Sequence, residues 1–101
     1  MIRLHVFRTY SQAKYAWSEF AEKVSYGPNS DAKSSASRLA VLLHNGDEHR
    51  FIGLGHPQDC DKLMGLDYAV EEISPYVPND VQRLVMEREM PWRRGAKAAG
   101  G

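Results

Sequence analysis

The pattern along these 101 residues predicts an α/β or α+β fold, a small mixed sheet with an antiparallel hairpin, covered by two main helices. Three observations carry this: an alternating apolar segment at the start, a helical stripe directly after it, and an Asn-Gly pair between two strand-like runs. A strand followed by a helix and a return to the same sheet favours a right-handed crossover, and the hairpin requires an antiparallel pairing. The length leaves room for one core, so residues 1–90 are read as a single domain and 91–101 as a basic, flexible tail.

Ile2, Leu4 and Val6 alternate with Arg3, His5 and Phe7, the period-two signature of a strand over 2–8 with one buried face. Thr9 or Ser11 can cap the following helix, in which Ala13, Ala16, Trp17, Phe20, Ala21 and Val24 form one stripe that ends before Gly27-Pro28. Residues 25–37 hold almost nothing to bury, so an exposed, mobile loop is expected there.

The run from Leu39 to His44 and the run from Glu48 to Leu54 flank Asn45-Gly46, the dipeptide whose positive backbone dihedrals suit a tight hairpin. Pro57 opens one short helical turn, and Leu66 to Ile73 reads as a fourth strand. Pro75 and Pro78 stop it, and Asn79 or Asp80 can cap a helix carrying Val81, Leu84 and Val85 that ends before Pro91.

Thirteen basic and thirteen acidic side chains cancel, but their signs are segregated: +3 for residues 1–38 (six basic, three acidic), −6 for 39–80 (two, eight) and +3 for 81–101 (five, two). A zero balance removes the non-specific attraction usual in small basic nucleic-acid binders, although the basic ends leave Arg3, Arg8, Lys14, Arg93 and Arg94 as candidate phosphate contacts. Tyr10, Tyr15 or Trp92 could stack on bases. The single Cys60 excludes an internal disulfide and a four-cysteine zinc module. No apolar run approaches the roughly 20 residues of a membrane span, and MIRLHVFRTY lacks a secretory apolar segment, so a cytoplasmic protein with no membrane association is expected.

Ligand-capable types gather within eighteen positions as His44, Asp47, His49, His56, Cys60 and Asp61, but their spacing is not that of a structural zinc site, and no metal is assigned. A nucleophilic Cys60 is disfavoured by Asp59 and Asp61, whose charges oppose a thiolate. No cofactor is expected.

The segment NGDEHRFIGLGHPQDCDKLMGLDYAVEEISPY, residues 45–76, resembles the middle of the ATPase domain of phage large terminase subunits. The matching features are the Asn45-Gly46 hairpin, the strand Phe51-Ile52-Gly53-Leu54 ending in a glycine turn, Lys62-Leu63-Met64-Gly65, and the apolar strand Tyr68-Ala69-Val70 ending in Glu71-Glu72. The likeness extends to Arg8 with the first helix and to the helix ending near Arg88, about two thirds of the chain as a pattern. It implies for Glu71 and Glu72 the part such an acidic pair plays in holding Mg²⁺ and polarising the attacking water. The G-x-x-x-x-G-K-[ST] phosphate cradle occurs nowhere, so ATP hydrolysis by this chain alone is not expected.

These readings converge on a non-catalytic phage-type accessory or interaction protein on a reduced P-loop-ATPase-like core, in the host cytoplasm, with a protein partner or a second copy as its ligand. A small nucleic-acid-binding protein and an NTPase fragment completed by another chain are the alternatives. The helix flank, the hairpin edge and the Trp92-containing tail are the expected partner surfaces.

Overall fold

The structure, a computed structural model, describes residues 1–25 and 32–89. Its elements follow in the order β1 (Ile2–Phe7), α1 (Tyr10–Ser25), β2 (Lys33–Ser35), β3 (Ala40–Leu42), β4 (Glu48–Gly53), a 3-10 helix (Pro57–Leu63), β5 (Tyr68–Ile73) and α2 (Asn79–Glu87). The five strands form one mixed sheet in the order β2-β3-β4-β1-β5. β1 is parallel to both β4 and β5, whereas β2, β3 and β4 pair antiparallel. The fold is a small α/β layer structure with helices on both faces.

Two apolar clusters fill the two faces. On one, Leu4 and Val6 pack with Leu54, Cys60, Leu63, Tyr68, Val77, Val81 and Val85, which brings α2 and the 3-10 helix onto the sheet. Tyr68 is buried there with its hydroxyl satisfied by donation to the Val85 carbonyl at 2.5 Å. On the other, Ala13 of α1 packs with Leu39 and Phe51, and Phe7, Ala16, Trp17 and Phe20 close over them. Of the expected stripe, Ala13 is buried and Ala16, Trp17 and Phe20 are partly buried, and the Trp17 indole N–H donates to the Ala40 carbonyl at 3.1 Å, tying α1 to β3.

Three local expectations change. Within the stretch expected as loop, Lys33–Ser35 is an edge strand paired with β3, and residues 26–31 lie outside the described residues. Its polar side chains carry no periodic signal, because an edge strand of this kind is held by backbone hydrogen bonds. This strand also covers β3, so the hairpin does not form the sheet edge. At the hairpin itself only Gly46 has positive φ, +95°, within a turn closed by Gly46 N–H to the Leu43 carbonyl and braced by Asp47 N–H to Asn45 Oδ1. The two-residue turn with positive dihedrals at both Asn45 and Gly46 is thus replaced by a longer turn. Finally, the cap position of α2 is Pro78, and Asp80 sits in the first turn, accepting from Val81 N–H at 2.9 Å.

β1 departs furthest from its pattern. His5 is as buried as its neighbours Leu4 and Val6, with 3% of its surface exposed. A strand flanked by parallel neighbours and covered by helices on both faces has no solvent face, so alternation ceases to report burial.

Candidate functional site

The site starts from an irregularity between β1 and β5. Leu4 lies opposite Val70 but His5 lies opposite Glu72, so β5 holds one extra residue at this point, a bulge. Val70 and Ile73 both pack on the α2 face, while Glu71 and Glu72 both reach side chains of β1 on the opposite face. The bulge thereby puts two consecutive carboxylates on one face of the sheet, which regular alternation would forbid.

Each carboxylate meets a different partner. Arg3 Nη1 donates to Glu71 Oε2 at 3.2 Å, and Arg3 Nε donates to Asp47 Oδ2 at 3.1 Å. This guanidinium, chiefly through its hydrogen bond, holds the Asp47 carboxyl below the usual range. Glu72 Oε2 lies 2.5 Å from His5 Nδ1, and His5 Nε2 lies 2.8 Å from His49 Nδ1. The result is a hydrogen-bonded row, Glu72–His5–His49, running from a half-exposed carboxylate into the sheet. Aromatic rings enclose it: Phe51 stacks on His5 with centroids 4.2 Å apart, and Phe20 lies 4.7 Å from His49. Burial, followed by the neighbouring His5, lowers the His49 pKa and favours its neutral form.

Glu72 opens onto a groove of about 1070 Å³ between α1 and β5. Phe7, Phe20 and Phe51 contribute aromatic surface to it, and its α1 side carries Tyr15, Glu19, Glu22 and Lys23, while Glu72, Ser74 and Tyr76 line the β5 side. The groove exists because α1 packs over β4, β1 and β3, leaving the α1-side surface of the edge strand β5 open. Glu19, one helical turn along α1, raises the Tyr15 phenol pKa.

The residues singled out in the sequence are dispersed. Glu71 and Glu72 share a face, but one is occupied by Arg3 and the other by His5; a guanidinium beside the pair repels a divalent cation, and the pair makes no metal centre by itself. Of the candidate phosphate contacts, Arg3 pairs with Asp47 and Glu71, while Arg8 and Lys14 are exposed. Arg93, Arg94 and Trp92 lie outside the described residues. Of the other ligand-capable types, Asp47 pairs with Arg3, His49 with His5, and Cys60 is buried in the α2-side core. Asp59, the neighbour of Cys60, accepts from the Gly55 and His56 amides. Among the described residues no group of three or more His, Cys, Asp and Glu side chains could hold a metal ion. Burial, opposed by Arg88 and aided by Asp59 and Asp61, pushes the Cys60 thiol up, against nucleophilic use.

Sequence reasoning missed His5 and the groove. The available signal was only a histidine between Leu4 and Val6, and the alternating pattern placed it on the face opposite the core. Compared with protein-family models, curated proteins and solved structures, the chain matches none. No helix among the described residues is long and apolar enough to cross a membrane.

Proposed function

We propose that this chain is a non-catalytic, phage-type accessory or interaction protein on a reduced P-loop-ATPase-like core, acting in the host cytoplasm by holding a protein partner in the α1/β5 groove. The observation that carries the reading is the groove itself, with aromatic side chains in its lining and two exposed tyrosines on its walls. The sheet edges are poorer docking sites. β2 has three residues, and at the other edge the Val70 amide is taken by the Glu89 carboxylate at 2.8 Å, a charge placed where an added strand would pair. The missing phosphate cradle supports the non-catalytic part of the reading.

The test is affinity capture from the native host with wild type and with Tyr15→Ala/Tyr76→Ala. Both side chains are exposed, so the variant should fold. A partner retained by wild type and lost by the variant is expected; equal capture by both rejects the groove as the partner site. Turnover of Mg-ATP by the purified chain would reject the non-catalytic part.

One observation favours nucleic acid as a second reading: Tyr10, Lys14, Tyr15 and the edge of Trp17 line a depression along α1, with exposed Arg8 just before the helix. Aromatic faces beside two cations suit a single strand. Binding of single-stranded DNA that weakens steeply with salt and is lost in Arg8→Ala/Lys14→Ala supports this reading, and no binding at low salt removes it.

A further inference from the structure

We propose that the α1/β5 groove takes an arginine-bearing basic segment of a partner protein. This rests on the groove being the partner site and adds the chemistry of what enters it. Three carboxylates, Glu19, Glu22 and Glu72, line the groove against one ammonium, Lys23. That balance repels phosphates and acidic peptides and attracts a cation.

The arrangement selects among cations. Tyr15 and Tyr76, 65% and 71% exposed, stand on opposite walls, and an aromatic face is a good partner for a planar guanidinium. Glu72 supplies the acceptor. Its Oε2 is held by His5, which is itself pinned by Phe51 and His49, so the carboxylate is preorganised and loses little freedom when a guanidinium binds. A planar guanidinium can meet one carboxylate through two parallel N–H groups, a geometry that a single ammonium does not offer.

The dimensions fit a peptide. The α1 side of the groove runs from Ser11 to Lys23, and at the helical rise this is about 18 Å, the length of about five extended residues. Ser11, Gln12, Ser74 and the remaining polar side chains offer hydrogen-bond partners along that length for an extended backbone.

The probes are a fluorescein-labelled heptapeptide of glycine and serine carrying two arginines, its citrulline counterpart and its glutamate counterpart. Binding is measured by anisotropy and mapped by amide chemical shifts up to millimolar peptide. The arginine peptide should shift residues 11–23 and 72–76, bind at least tenfold more tightly than the citrulline peptide, and weaken at least tenfold in Glu19→Gln/Glu22→Gln and again in Glu72→Gln. Thermal unfolding of each variant establishes that it is folded. Equal binding of arginine and citrulline peptides, or shifts mapping away from the groove, overturns the proposal. So does the absence of any groove shift at millimolar arginine peptide. In each of these cases the groove reading survives if host-partner capture still depends on Tyr15 and Tyr76, and falls with it if capture does not.

Discussion

His5 Nδ1 and Glu72 Oε2 lie 2.5 Å apart, joining an imidazole that is 4% exposed to a carboxylate that is 53% exposed. The two residues are 67 positions apart in the chain and meet only because β1 and β5 are neighbours with a bulge at this point. His5 is thus both a core residue and the support of a surface carboxylate, and the two roles separate by mutation.

His5→Ala removes a ring stacked on Phe51 and leaves His49 Nδ1 without its partner. A cavity and an orphaned buried nitrogen together cost about 2–4 kcal/mol. Glu72→Gln keeps an acceptor at a half-exposed position and should cost about 1 kcal/mol or less. Denaturant unfolding of the two variants checks the order, and equal losses would mean that the carboxylate, rather than ring packing, holds this part of the fold.

His49 gives stability a pH dependence. Burial lowers its pKa in the folded state, with His5 and Arg3 acting in the same direction and Glu71 and Asp47 against it. The unfolded chain then binds the proton more readily, so this contribution is fully present above the unfolded value of about 6.5 and is lost as pH falls below it toward the folded value. Thermal unfolding between pH 8 and 5 should show wild type losing more stability than His49→Gln. Parallel curves would reject His49 as the source.

Gly53 is required by a close approach. A Cβ there would sit 2.5 Å from the Thr9 carbonyl carbon and 2.6 Å from the Tyr10 nitrogen, both backbone atoms at the start of α1. Gly53→Ala must push the β1–α1 turn away from β4 and should cost about 1–3 kcal/mol or more. Gly55→Ala meets only the Arg8 carbonyl oxygen at 3.0 Å and should cost less. Urea midpoints in the reverse order would contradict this account.

Gly46 is required for a different reason. Nothing lies within 4 Å of a Cβ at this position, but its φ is +95°. Gly46→Val therefore pays only in backbone strain, about 1–2 kcal/mol, and Gly46→Asn less, since Asn tolerates positive φ better. An unchanged thermal midpoint for the valine variant would show that the turn has another conformation in solution.

The elements that local chemistry controls were legible in the chain. Ala13, Ala16, Trp17 and Phe20 recur at helical spacing and pack on the sheet, Pro57 opens a short helix, and the Asn45-Gly46 neighbourhood turns between two antiparallel strands. The acidic character of Glu71-Glu72 at a strand end was equally visible. Each of these signals lies within a few residues of the structure it predicts, because propensity, capping and turn dihedrals are local properties.

Tertiary structure alone decided the rest. β2 pairs through its backbone and has no side-chain signature, and His5 is buried because β1 became the strand between two parallel neighbours rather than because of its own neighbours in sequence. The extra residue in β5 sends Glu71 to Arg3 and Glu72 to His5, a division between identical side chains that no composition encodes. Arg3, read as a cation for phosphate, pairs with Asp47, 44 positions away. Sequence patterns record which residues prefer burial or charge, whereas strand order and register determine which of them meet, and the groove exists only through that second choice.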